Sequence, residues 1–468
     1  MEALSAAPPA VGRAPGLESA GEIEPVLPRQ PRSVRDTGLE PRFVTALVLK
    51  TMHAGGKMAL SMLGGRLRLS SAVVREVLQG LVTEQLAEVA WCGDSDIDVH
   101  YQLTAFGQRA AADHLAESRY IGPAPATLDA WRAVVAAQSL RQPGCVGVTP
   151  AELQALLLDD GIEPALRELL GAALHSQRPL MLYGPSGAGK THLAGKLARL
   201  RQDPIAVPYA VLVKHEIVQV YDPALHPAPL LARAMEDRRS GDARWALCRR
   251  PQVTVGAELA RDMLELRADA AGGVLRAPAH LLANNGVLIV DDLGCQRVPA
   301  AELLHRWLGA LESGTDHVAV PNGASHALPF DVSLVLATSL APEALLDDAC
   351  LRRIGYRIPV GPLSESGYRA LVRRQCCLRG IAPDEGAIDY LVHELHRRTR
   401  RPLLAAWPDE LLGRIADFAG FAGQAARLDQ ASLARAWSSL FSHDADTLAG
   451  GDHLSTPMPA SSEPGETP

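Results

Sequence analysis

The chain has 468 residues, 47% of them hydrophobic, and a formal net charge of −7. That length predicts two or three domains with full cores, and the acidic balance argues against a protein whose main work is coating nucleic acid, leaving room for a local basic site. Seven scattered cysteines without a CxxC pair or metal spacing predict reduced thiols in the cytoplasm, and the lack of an apolar run approaching about 20 residues predicts no membrane span.

Residues 1–36 are rich in Pro, Ala and Gly without periodicity and read as a disordered arm. They lack the charged start and apolar core of a signal peptide. From 37 to 120 the pattern predicts a winged helix-turn-helix-like domain. Phe43, Leu47 and Leu49 fall at helical spacing that stops at Gly55 and Gly56. A short helix with Met58, Leu60 and Leu63 follows, and a third begins at a serine cap, Ser70 or Ser71. "AEVAWCGDSDIDVHYQLT" gives two β-rich runs around a Gly/Asp/Ser turn, and "TAFGQRAAADHLAESRY" is helical again. The third helix offers Arg75 beside Glu76 and Glu84, and the hairpin tip carries Asp94, Asp96 and Asp98. Phosphate contact needs cations, so this domain is expected to pack or to bind protein rather than DNA.

Residues 121–148 read as a linker. The domain 149–362 opens on a capping box, Thr149 with Glu152, and Pro150 at the first helical position. In "RPLMLYGPSGAGKTHLAGKLARL", Leu180–Tyr183 reads as a buried strand. Gly184, Pro185, Ser186, Gly187, Ala188, Gly189, Lys190, Thr191 and His192 then lead into an amphipathic helix. This is a P-loop in its strand–loop–helix context. Its glycines let backbone N–H groups turn inward around phosphate oxygens, and the helix N-terminus adds partial positive charge. Lys190, one of five lysines, is expected on the β- and γ-phosphates of ATP, and Thr191 on Mg²⁺.

Between the loop and the next motif, "IAVPYAVLVKHEIVQVYD" alternates like a hairpin turning at Lys214, His215 and Glu216, and "RRPQVTVGAELARDML" reads as strand then helix. In "NNGVLIVDDLG", Val287–Val290 is a buried strand with Asp291 at its C-terminal end, where ligands bind in open α/β sheets. Asp291 is the expected Mg²⁺ carboxylate and Asp292 the group that orients or deprotonates the attacking water; a helix cap or a solvated turn is the alternative. The strand 332–337 ends in Thr338 and Ser339, a polar pair suited to a phosphate or that water, or to turn chemistry. "LDDACLRRIGYRIPV" sets Arg352 and Arg353 before an apolar strand, although arginine is rarely buried without a partner. A helical domain, 363–443, follows with i, i+3, i+4 apolar spacing, and residues 444–468 read as a disordered tail.

P-loop, acidic strand end, polar strand end, arginine doublet and helical domain, in this order, resemble the AAA+ ATPases over about 149–443. The resemblance implies an α/β P-loop NTPase core with a helical lid, Mg-dependent ATP hydrolysis, and a homo-oligomeric ring, a hexamer among the forms. It implies that Arg353 is an arginine finger reaching the neighbouring subunit's nucleotide. Arg352 would assist, or pair with Asp347 or Asp348; a structural salt bridge is the alternative for Arg353. Inserted hairpins in such rings often face the pore or the partner, so Lys214, His215 and Glu216 would do so unless they form an ordinary surface turn.

More narrowly, "RYIGPAPATLDAW", "IVDDLGCQRV", "LLHRWLGALE", "PFDV" and "DDACLRRIGYRI" are similar to a group of bacterial winged-helix AAA+ proteins described only as predicted ATPases, some with suggested chaperone-like activity. This implies remodelling of an unidentified protein client. Ser339 stands where that group has asparagine, the sensor-1 position. "WPDELL", with Asp409, stands where the group reads His-Pro-Arg-Asp, so the sensor-2 arginine is replaced, with Arg400 and Arg401 nearby as substitutes. These departures lower the expected hydrolysis rate and leave nucleotide binding intact. Two other functions fit: an ATP-switched DNA-binding regulator or loader acting through the winged helix, and a nucleotide-binding scaffold with weak hydrolysis.

Overall fold

A computed structural model describes residues 27–92, 99–142, 147–158, 160–201, 203–229, 241–269, 273–320 and 323–441. The hairpin tip with Asp94, Asp96 and Asp98 and the tail expected from 444 lie outside them. Residues 27–36, read from sequence as part of a disordered arm, pack against the first domain. Val34 is buried, its N–H donates to Glu76 at 2.8 Å, and the Ser70 hydroxyl donates to Pro31 O at 2.6 Å.

That domain has helices Pro41–Gly55, Leu60–Leu67 and Ser71–Thr83, then an antiparallel hairpin, Ala87–Cys92 with Val99–Leu103, then helix Ala105–Glu117. A short strand, Met58–Ala59, pairs with the hairpin's second strand. Ser70 caps the third helix through the Val73 N–H. Val73, Val74, Val77, Leu78 and Leu81 recur at helical spacing and are buried, which leaves Arg75 and Glu76 outside.

The central layer is a five-stranded parallel sheet in the order Gln252–Val255, Val287–Val290, Ser333–Thr338, Leu180–Tyr183, Tyr356–Pro359. Its inner strands are almost continuously apolar, as a sheet covered on both faces requires. Gln252–Val255, read from sequence as part of an insertion, is this sheet's edge strand; a short 3₁₀ helix, Arg261–Leu264, follows it.

A second five-stranded sheet lies beside it. The expected hairpin forms from Ala210–Val213 and Glu216–Gln219, turning at Lys214 (φ 56°) and His215, while Glu216, expected in the turn, opens the second strand opposite Val213. Its strands occupy the interior of that sheet, with Val211, Val213 and Val218 buried. The edge is Ala126–Thr127, and helix Leu128–Ala137 follows with Trp131 only 2% exposed. The stretch read as a linker is therefore built into the core. Arg244, buried and paired with Asp242 at 2.7 Å, donates to Thr37 O (2.9 Å) and Pro125 O (3.1 Å), fastening the N-terminal domain to this layer.

The C-terminal block is helical, with Glu365–Leu378, Ala406–Phe421 and Gln430–Leu440 around a π-helical stretch, Tyr390–His396. Its core holds a neutral histidine. His396 Nε2 accepts from the Tyr368 hydroxyl at 2.8 Å and Nδ1–H donates to Arg401 O at 3.2 Å, while burial holds its pKa down to about 4. In the unfolded chain it takes a proton near 6.5, so its contribution to stability is full above that pH and is lost as pH falls towards 4. The loss expected is about 3 kcal/mol. Urea midpoints of the wild type should fall over this window more steeply than those of His396→Gln. Among the described residues, no helix is long and apolar enough to cross a membrane.

Candidate functional site

Three neighbouring parallel strands run towards the same edge: Thr338 is in register with Tyr183, and Val290 is in register with Leu336, so the strand Val287–Val290 ends two residues before the other two. Their C-terminal ends deliver Gly184, Asp291 and Ser339 to one edge of the sheet. Gly184 has φ 143°, and a Cβ there would lie 2.2 Å from Val360 O, so only glycine fits. Gly189, with φ 90°, is the N-cap of helix Lys190–Ala198 and offers no side-chain cap to its first turn. Among the described residues, no acceptor meets the N–H groups of Ser186, Gly187 or Gly189. Unpartnered loop donors before an uncapped helix N-terminus suit a phosphate chain.

Lys190 folds its ammonium onto the loop, donating to Gly184 O at 3.0 Å and Pro185 O at 2.9 Å, and lies 3.5 Å from Ser339 Oγ. Burial lowers its pKa, against the opposing charges of Asp292 and Asp291. The Thr191 hydroxyl donates to Asp291 Oδ1 at 2.7 Å, which brings together two oxygen ligands of the kind Mg²⁺ takes. Asp292 is exposed and sits in the left-handed region at φ 47°, a conformation that aspartate tolerates better than most residues. Its backbone N–H donates to Asp291 Oδ1 at 3.1 Å.

Gln296 was not singled out in the sequence. Its Nε2 donates to Asp291 O at 2.8 Å and Asp292 O at 3.2 Å, clamping the turn that presents both carboxylates. A glutamine in a polar loop carries no periodicity that would reveal such a role. Of the two alternatives for its hydroxyl, Thr338 follows turn chemistry. It is fully buried, and the hydroxyl donates to Leu293 O at 2.7 Å while accepting from Leu340 N at 3.1 Å. It thus shapes the loop beyond Asp292, whereas Ser339 reaches Lys190. His192 lies off the loop. Its pKa is lowered by burial first and then by Lys196, within reach of the charges of Asp160 and Arg374.

The C-terminal block closes on the loop from the other side. Ala406 N–H donates to Gly187 O at 3.0 Å, and Leu404 packs in the same apolar cluster as the loop's Ala188. Asp160 accepts from Lys196 at 2.5 Å and also pairs with Arg374, tying the loop's helix to helix Glu365–Leu378. Asp409 is held by Arg379 at 2.5 Å, so its charge is neutralised within the block. Arg401 stacks over the Phe441 ring, 3.8 Å from its centroid, so its guanidinium is engaged there.

The arginine doublet sits elsewhere. Tyr356 is in register with Leu180 and Pro359 with Tyr183, so the doublet precedes strands whose far ends carry the loop. Strands of this length separate the two by about 10 Å. Among the described residues, Arg353 makes a single exposed pair, with Glu312 at 3.4 Å. Of the two alternatives for Arg352, pairing with Asp347 or Asp348 is absent among the described residues; the Asp347 carboxylate is taken by Cys350 N–H and His305. Both arginines line a cavity of about 540 Å³ that Arg141 and Arg178 also border.

A family model described as a domain of unknown function, DUF8689, matches residues 364–439. No curated protein matches the sequence. Among solved structures, the chain is similar to the RuvB Holliday junction branch migration motor of Thermotoga maritima. The identity is 15% and the TM-score 0.35, with 62% of this chain and 73% of that chain covered. It is also similar to NtrX from Brucella abortus in complex with ATP, at 16% identity and a TM-score of 0.31, with 71% of this chain and 74% of that chain covered. Overlaps this loose leave the function to be argued from the site itself.

Proposed function

We propose that the chain binds ATP at the Gly184–Thr191 loop and hydrolyses it within a homo-oligomeric AAA+ ring that remodels a protein client. The observation that carries this is the 2.7 Å contact of Thr191 with Asp291, beside a Lys190 ammonium within reach of Ser339. Thr191 and Asp291 would hold Mg²⁺, which neutralises developing charge on phosphate oxygens when bound. Loop N–H groups and Lys190 bind the phosphates, Asp292 orients or deprotonates the attacking water, and Ser339 stands at the sensor position. Thr338 positions the Asp292 loop.

The opposite placement of loop and doublet supports Arg353 acting on a neighbour's nucleotide, with Arg352 beside it. Residues 364–439 act as the lid, since Ala406 and the Asp160 pairs already join them to the loop and its helix. The winged-helix-like domain serves as a protein adaptor: its third helix is partly covered by residues 31–34, which suits a packed surface better than a DNA groove.

Phosphate release from wild type, Lys190→Ala and Asp292→Asn tests the proposal. Wild type should release phosphate from Mg·ATP, and Lys190→Ala should lose nucleotide binding. Asp292→Asn should keep nucleotide and lose about a hundredfold or more in turnover. Binding without release from wild type would turn the reading into a nucleotide-binding scaffold, and absence of binding would end it.

A further inference from the structure

We propose that His305, Asp347 and Cys350 form a site for a divalent transition-metal ion of the zinc class, between helix Ala300–Ser313 and the helix that carries the arginine doublet. One donor atom from each residue lies within 4.8 Å of the others. His305 Nε2 is 3.0 Å from Asp347 Oδ2, and the other Asp347 oxygen accepts the Cys350 N–H at 2.8 Å. Cys350 is fully buried on its own side, while His305 and Asp347 are exposed towards solvent, the direction from which an ion would enter.

The donor chemistry selects the metal. An imidazole, a carboxylate and a thiol suit zinc and its neighbours, whereas Mg²⁺ and Ca²⁺ take oxygen. Four-coordinate zinc has ligands at about 2.0–2.3 Å, which places the donors about 3.5 Å from one another. Rotation of the exposed His305 and Asp347 side chains closes the remaining gap, and water takes the fourth position. Binding replaces the thiol proton, which leaves to solvent, and the thiolate, carboxylate and neutral imidazole then balance the ion's two charges. Burial, followed by the Asp347 carboxylate, pushes the free Cys350 thiol up to about 11, with Arg353 pulling the other way, so the metal-free group stays a thiol at neutral pH.

The placement gives the site a consequence. His305 lies near the middle of helix Ala300–Ser313, and Glu312, which holds Arg353, lies near its end. An ion joining His305 to Cys350 staples this helix to Asp348–Arg353 and fixes where Arg353 can reach. Any effect on turnover rests on the trans-arginine reading, but metal binding does not.

The test is Co²⁺ titration of the full-length chain after dialysis against chelator. One equivalent should give a thiolate-to-cobalt charge-transfer band and visible ligand-field bands of a four-coordinate ion, both displaced by Zn²⁺. His305→Ala, at an exposed position, should weaken binding by at least about a hundredfold. Cys350→Ala should abolish the charge-transfer band. Absence of that band in wild type, its persistence in Cys350→Ala, or unchanged affinity in His305→Ala would each overturn the site. These spectra need no ATP turnover, so they stand or fall separately from the ATPase.

Discussion

Arg353→Ala should lower ATP turnover by about a thousandfold or more and leave nucleotide affinity unchanged. The separation of effects follows from geometry, because Arg353 precedes the strand whose far end lies beside the chain's own loop. Its only pair among the described residues, with Glu312, is exposed on both sides and contributes at most about 1 kcal/mol, so the side chain is readily released to another partner. Glu312→Ala should accordingly leave stability nearly unchanged. The decisive measurement mixes two inactive variants, Arg353→Ala and Lys190→Ala. Mixed rings contain interfaces where an intact loop meets an intact arginine, and phosphate release should reappear there. If mixing restores nothing although the variants co-assemble, Arg353 does not act across subunits.

Asp160→Ala should lower unfolding free energy by about 3–5 kcal/mol, read as a lower urea midpoint. The Asp160 side chain is 8% exposed and that of Lys196 10%, so removing the carboxylate strands a buried ammonium. Adding Lys196→Met should recover a large part of the loss, since an apolar side chain needs no counter-charge. A midpoint shift in Asp160→Ala worth under about 1 kcal/mol would class the pair with solvent-screened surface bridges instead.

The glycine loop and the strand before it were legible because their chemistry is local: a run of adjacent residues fixes turn, donors and helix start together. The capping box at Thr149 and the hairpin turning at Lys214 were legible for the same reason. Gln252–Val255 was not, because its alternation is the same whichever sheet it joins, and only pairing with Val287–Val290 decides. The strand and helix within 121–148 escaped because a two-residue strand has no period and Trp131 buries itself against residues far along the chain. Pairs such as Asp160 with Lys196 and Arg374, or Asp409 with Arg379, join distant positions and leave no local pattern. At Thr338 and Ser339 the residues were found but not their division of labour, which depends on which hydroxyl turns inward at a strand end.

The Arg244 fastening has a mechanical implication. One buried guanidinium grips carbonyls at Thr37 and Pro125, on either side of the N-terminal domain, from a layer packed on the central sheet. A domain held at both its entry and its exit cannot swivel as a tethered bead would. Any tilt of the sheet layer would then be carried to the far surface of the N-terminal domain as a displacement that grows with that domain's length, as in a lever arm.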